Sequence, residues 1–188
     1  MILDLTKALS EGLETYPGDP KVEIREWASL EKDGYYMNLL SFGEHSGTHV
    51  DAPAHFIKGG KTIDELSLEK FFGKAIVIDA SSGKGEIAMG EIPEINLGNR
   101  IVLFCSGGRG LSVELAGFLV NAGVKAVGTD GMSIGNENVH RILLSAEIPI
   151  FENLTNLEKL IGRDFTFMAF PLKIKKGSGS PVRAVALL

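Results

Sequence analysis

Between residues 45 and 55 the sequence reads His45-Ser46-Gly47-Thr48-His49-Val50-Asp51-Ala52-Pro53-Ala54-His55. The chain of 188 residues has four histidines, and three of them fall in this stretch with a carboxylate among them. Neutral imidazole nitrogen and carboxylate oxygen are the donors that hold Zn²⁺, Mn²⁺ or Fe²⁺. The same groups serve as general acids and bases. A lone histidine is usually a surface residue or a hydrogen-bonded core residue. A cluster of three with an aspartate, in a chain this poor in histidine, points to a metal or acid-base site.

The spacing constrains the local fold. On a helix, His45 and His49 would be neighbours, but Asp51 and His55 would swing to another face. Gly47 and Pro53 also oppose a helix. In extended chain all four positions are an even number apart and share one face. Ten residues of straight strand would span about 33 Å, too far for one ion. The segment must therefore bend, and Gly47 and Pro53 stand where it can. A curved strand-to-loop segment is expected, with His45, His49 and Asp51 closest together and His55 reaching in.

Two residues elsewhere are further candidates. Glu152 ends the apolar run Ile148-Pro149-Ile150-Phe151, and strand ends are where α/β proteins place functional groups. His140 lies early in an expected helix, where a solvated face explains it as well. Cys105 is the one cysteine, so an intramolecular disulfide and a Cys-rich zinc module are excluded. No neighbour in sequence lowers its pKa, and a buried position at a strand end is the expected role.

The elements that must position these residues change character along the chain. Leu3–Thr6, Val22–Trp27 and Tyr36–Phe42 read as strands, with a turn at Tyr16-Pro17-Gly18-Asp19-Pro20. Ile63–Phe72 reads as helical. Strands are then expected at 75–80, 100–105, 125–129, 148–151, 165–170 and 181–188. Helices are expected at 112–122, 138–146 and 154–161. Strands first and alternation afterwards give a mixed α/β layer structure, with residues 1–188 as one domain. Gly177-Ser-Gly-Ser180 and Gly107-Gly108-Arg109-Gly110 read as turns, the latter without a phosphate-loop spacing.

Lys plus Arg is 19 and Asp plus Glu 24, a net charge of −5. That balance argues against nucleic acid as a partner. No apolar run reaches the length of a membrane span. The N-terminal residues lack signal-peptide character, so a cytoplasmic location is expected.

The motif His45-x-Gly47-Thr48-His49-x-Asp51-x-Pro53-x-His55 resembles the signature of the cyclase family that contains bacterial kynurenine formamidases (arylformamidases) and isatin hydrolases. Gly128-Thr129-Asp130, His140, Glu152-Asn153-Leu154 and Ser180-Pro181-Val182-Arg183-Ala184 are similar to later landmarks of that family. With the turn at Tyr16-Pro17-Gly18-Asp19, the landmarks run from about Tyr16 to Arg183. The resemblance implies a metal-dependent amide hydrolase with a swivelling β/β/α three-layer fold and a mixed sheet, assembled as a homodimer or homotetramer. It implies that His45, His49 and Asp51 bind a first metal. Asp51 and Glu152 would be shared with a second, which His140 also binds, and His55 would carry protons. Zn²⁺, as one or two ions, or Mn²⁺ is the implied cofactor. The formamidases carry a tryptophan before Pro-Gly-Asp that helps hold the aryl substrate; here Tyr16 takes that place. Phe42 or Phe56 are further candidates to flank an aromatic substrate. The implied substrate is a small-molecule amide, N-formylkynurenine in the arylformamidase case. A cyclic amide, a related cyclase or dehydratase reaction, and a non-catalytic metal-binding module are the alternatives.

Overall fold

The computed structural model describes residues 1–188. The chain begins with β1 (Ile2–Asp4). A hairpin follows, made of β2 (Glu23–Ala28) and β3 (Met37–Ser41), with one helical turn, α1 (Leu30–Asp33), between them. Next come β4 (His49–Asp51), β5 (Phe72–Asp79) and β6 (Ile101–Cys105). Two crossovers complete the middle: α2 (Val113–Asn121) leads to β7 (Ala126–Thr129), and α3 (Glu137–Ser145) leads to β8 (Ile150–Glu152). β9 (Phe165–Met168), β10 (Gly179–Pro181) and β11 (Val185–Leu187) close the chain.

Nine strands form one sheet in the order β1-β11-β9-β5-β6-β7-β8-β4-β10, and β2-β3 stand apart as a ribbon. β5 to β8 run parallel, and the flanking pairs are antiparallel. The apolar centre follows from the sequence. Ile101–Cys105 is buried at every residue, as a strand covered on both faces must be. Its residues alternate between two cores. Ile101, Leu103 and Cys105 join one that also holds Leu5, Val50, Phe151 and Phe167. Val102 and Phe104 join the other, with Leu115 and Leu119 of α2 and Leu143 and Leu144 of α3.

The sheet must curl. Six strands separate β10 from β11 in the sheet order, which in a flat sheet is about 34 Å at the usual strand spacing. Only residues 182–184 join them, and that much chain spans at most about 14 Å. The link bridges the gap: Val182 N–H donates to the Thr48 carbonyl and Leu5 N–H to the Ala184 carbonyl, both at 2.9 Å. Curling turns one sheet into two facing β layers around the first core, with the helices outside as the third layer. The expected α/β fold with a mixed sheet is the one observed.

Both crossover helices start on side-chain caps. Ser112 Oγ accepts from Leu115 N–H, and Asn136 Oδ1 accepts from Asn138 and Val139 N–H, satisfying donors that the helix leaves free. On α3 the buried positions are Val139, His140, Leu143 and Leu144, an i, i+3, i+4 face. His140 therefore points inward, and the solvated alternative for it falls away.

Three expectations need correction. Ile63–Phe72 is not a helix but two 3₁₀ turns, Ile63–Glu65 and Leu68–Phe71, with Phe72 already in β5. Glu65 Oε2 accepts from Thr62 N–H at 2.9 Å, and Leu66 turns extended at ψ 140°, so the apolar residues enter the core from turns. The helix expected at 154–161 is one 3₁₀ turn, Leu157–Leu160. Asn153 and Asn156 hold φ near +57° and +59°, a conformation that asparagine tolerates and a helix does not. Residues 181–188 are not one strand: they close β10 at the sheet edge and form β11 beside β1 at the other end. No helix is long and apolar enough to cross a membrane.

Arg109, in the second glycine-rich turn, ties the outer loops together. Its guanidinium donates to both oxygens of Glu91, at 2.8 and 2.9 Å, and to the carbonyls of Ala80, Gly85 and Glu86. Hydrogen bonds from that guanidinium hold the Glu91 carboxyl down at about 2. A carboxylate whose pKa falls on folding adds stability above its unfolded value, and loses it as pH falls through the folded one. The melting temperature of wild type is expected to exceed that of Glu91→Gln at pH 7. The gap should close between about pH 4.5 and pH 2; a gap independent of pH would refute the assignment.

Candidate metal centre

β4 lies between β8 and β10 and carries the central donors. In its register His49 faces Glu152 on β8, and Asp51 faces Gly179 on β10. Gly47 at φ +65° supplies the bend ahead of it. A 3₁₀ turn at Pro53–His55 supplies the one behind. The expected curved segment is thus observed, and α3 brings His140 to the same place.

Two overlapping donor groups result, with donor atoms within 4.8 Å of one another: His45, His49 and Asp51; and Asp51, His140 and Glu152. Asp51 belongs to both. Its Oδ1 lies 2.8 Å from His45 Nδ1 and 3.4 Å from His49 Nε2. Glu152 offers Oε2 at 3.4 Å to His49 Nε2 and Oε1 at 3.2 Å to His140 Nε2. Glu152 Oε1 also accepts from Ile134 N–H at 2.7 Å, which fixes the carboxylate.

The hydrogen bonds decide which nitrogen faces the centre. His49 Nδ1–H donates to the Gly47 carbonyl at 2.9 Å, and His140 Nδ1–H donates to the Asn136 carbonyl at 3.0 Å. Both rings therefore turn Nε2 toward the carboxylates. There an unprotonated Nε2 and a carboxylate would be two acceptors facing each other, an arrangement that a proton or a metal cation relieves. Asp51 is 1% exposed, and its Oδ2 is the one buried side-chain oxygen or nitrogen with no hydrogen-bond partner. An orphaned buried oxygen 3.8 Å from His140 Nε2, on a carboxylate whose other oxygen lies near His49 Nε2, fits a divalent metal, since both rings have an anchored second nitrogen.

The charges agree. Burial opposes protonation of His49, but Asp51 and Glu152 outweigh it and push its pKa up to about 10. Burial likewise opposes ionisation of Asp51, yet the imidazoles of His45 and His49 against it hold its pKa below the ordinary carboxylate value. The pocket attracts positive charge.

His55 is different. It pairs with neither carboxylate. Its ring stacks on His45 at 3.9 Å and meets Phe56 edge-on at 4.4 Å. Burial lowers its pKa from the usual histidine value. A cavity of about 420 Å³ opens over the centre, lined by His45, His49, His55, His140 and Glu152 and by Tyr16, Phe56 and Met132. Of the three aromatic residues expected to flank a substrate, Tyr16 and Phe56 line this cavity. Phe42 does not: it lines a separate cavity with Leu9 and Thr48. Cys105 is buried, and burial with Asp130 and Asp79 nearby pushes its thiol up to about 11, so the thiol is unreactive. Sequence reasoning missed Glu44 and Ser178, which border the centre beside His45. The available signal was the Gly177-Ser-Gly-Ser180 run, read as a turn.

The family model described as "Putative cyclase" matches residues 3–136, a span that includes His45, His49, Asp51 and His55. A kynurenine formamidase of Bacillus cytotoxicus is 30% identical over 201 residues, covering 97% of this chain and 95% of that protein. One from Erythrobacter litoralis is 28% identical over 200 residues, covering 98% and 92%. Among solved structures, isatin hydrolase A from Labrenzia aggregata superposes with a TM-score of 0.89 at 24% identity, over 99% of this chain and 93% of that one. With a donor-rich β4 at its centre and a family match across most of its length, the chain belongs to the cyclase family.

Proposed function

We propose that the protein is a metal-dependent amide hydrolase of the arylformamidase type, cleaving an N-formyl arylamine such as N-formylkynurenine to the amine and formate. One observation carries the reading: a buried carboxylate with an orphaned oxygen, ringed by histidines, at the base of a cavity that also holds an unpaired imidazole. The full-length relatives named kynurenine formamidase support the substrate class.

His45, His49 and Asp51 would hold the first ion; Asp51, His140 and Glu152 would hold a second. Nitrogen and oxygen donors without sulfur suit Zn²⁺ or Mn²⁺. A divalent ion bound there supplies Lewis acidity, polarising the substrate carbonyl and acidifying water. His55 takes the proton of the attacking water and gives it to the leaving nitrogen as the C–N bond breaks. Its lowered pKa keeps it neutral, and so able to accept a proton, at pH 7. Tyr16, Phe56 and Met132 form the wall against which an aryl ring would lie. Residues 1–188 would act as one catalytic domain.

The assembly we propose is a homodimer. The β2-β3 ribbon leaves Trp27, Leu30, Tyr36, Leu39 and Leu40 exposed, and a two-stranded ribbon in water is marginal by itself. Scattering should give twice the 20.2 kDa chain mass; a monomer at working concentration would refute this.

A panel of N-formylkynurenine, other arylformamides, isatin and simple lactams, at defined Zn²⁺ or Mn²⁺, tests the activity. Formate release from the arylformamides is the expected result. Ring opening of isatin without formate would favour the cyclic-amide reading, since isatin hydrolase A shares the fold. Metal bound without turnover of any amide would overturn the enzyme reading.

A further inference from the structure

His49 and His140 anchor their outer nitrogens on main-chain carbonyls, which can only accept. His45 differs. Its Nε2 lies 3.0 Å from the hydroxyl of Ser178, a group that can either accept or donate. If Ser178 donated, His45 would carry its proton on Nδ1, the nitrogen that faces Asp51 Oδ1 at 2.8 Å. That nitrogen would then be closed to a metal.

Glu44 removes the ambiguity. Its Oε2 accepts from Ser178 Oγ–H at 2.7 Å and from Ser178 N–H at 2.8 Å. With its proton committed to Glu44, the Ser178 oxygen is left to accept from His45 Nε2–H. Nδ1 then presents its lone pair to the centre. The donors run in one direction: His45 to Ser178, Ser178 to Glu44.

The glycines on either side of Ser178 make the arrangement possible. A Cβ on Gly179 would sit 2.5 Å from His45 Cε1 and 2.7 Å from the Val50 carbonyl oxygen. A Cβ on Gly177 would sit 3.0 Å from Glu44 Oε1. The segment is held independently, since Ala52 N–H donates to the Ser178 carbonyl at 2.8 Å and Ile63 N–H to the Gly177 carbonyl at 2.8 Å. A motif that reads in sequence as a turn is a closely fitted cradle for one ring.

We propose that Glu44 and Ser178 are positioning residues for the metal centre, fixing His45 in the tautomer whose Nδ1 can bind a cation. The inference rests on the metal-dependent reading above. Outer hydrogen-bond partners of this kind are worth about 10- to 100-fold in metal affinity.

The test measures Zn²⁺ affinity by competition with a chelating dye for wild type, Ser178→Ala, Glu44→Ala and Glu44→Gln, each checked for an unchanged circular dichroism spectrum. Ser178→Ala and Glu44→Ala are expected to bind Zn²⁺ about 10- to 100-fold more weakly. Glu44→Gln keeps a carbonyl oxygen to accept the Ser178 proton and is expected to stay close to wild type. Long-range ¹H–¹⁵N spectra of the Zn²⁺-loaded wild type should find His45 protonated at Nε2. Tight wild-type binding with no loss in Ser178→Ala and Glu44→Ala would overturn the relay and leave the metal reading standing. Glu44→Gln as weak as Glu44→Ala, or His45 protonated at Nδ1, would also overturn it. A wild type that binds no Zn²⁺ or Mn²⁺ would overturn both.

Discussion

Replacing Asp51 with asparagine is expected to leave a folded protein that retains no stoichiometric Zn²⁺ or Mn²⁺ and hydrolyses no formamide. No other side chain belongs to both donor groups. The substitution keeps the shape and removes the charge. His49 and His140 would still turn Nε2 inward, because the Gly47 and Asn136 carbonyls hold their other nitrogens. They would face an amide, a neutral ligand that offers one oxygen in place of two. The loss should exceed the roughly 10- to 100-fold typical of an outer partner. Elemental analysis after dialysis, beside the formate assay, checks it; Asp51→Asn retaining one equivalent of metal would refute the assignment of Asp51 as shared ligand.

Replacing His55 with alanine is expected to separate chemistry from metal. Turnover should fall by about 10²- to 10⁴-fold, the usual worth of a positioned acid-base group, while metal content stays at the wild-type level. The ring lies in the cavity wall, stacked on His45 and outside both donor groups. Nothing in the donor set needs it. Loss of metal in His55→Ala would make it a ligand; retained turnover would make it a bystander.

How much of this was legible in the sequence depended on whether local chain geometry decides the matter. His45, His49, Asp51 and His55 could be read because parity, Gly47 and Pro53 act over a few residues. Glu152 could be read because it terminates an apolar strand. His140 could not be settled, since its direction depends on the phase of α3 against the sheet. The strand at Ile101–Cys105 could be read because burial on both faces leaves an unbroken apolar run; its parallel pairing could not. The apparent helix at 63–72 failed because apolar residues at 63, 66 and 71 mimic a helical face, whereas tertiary packing inserts them from successive turns. Glu44 and Ser178 were illegible for a different reason. They lie 134 residues apart, and a serine between glycines carries no local sign that a distant imidazole rests on it.

The curl of the sheet bears on how the centre comes to exist at all. β4 is three residues long and is held between β8 and β10. β10 pairs with it only after Gly179–Pro181 has been made and carried round the open edge, a closure across well over a hundred residues. Such long-range pairings are slow to form, because chain entropy is lost before contact is gained. On the ribosome, His45 and Asp51 therefore emerge long before the strand that completes their surroundings. Until that last seam shuts, β4 lacks one of its two neighbours and His45 lacks the Ser178 hydroxyl beside its Nε2. A ligand that recognises only the closed form draws the final step forward by mass action. The site is thus also a latch on the finished curl, set where an early strand, β4, meets a late one, β10.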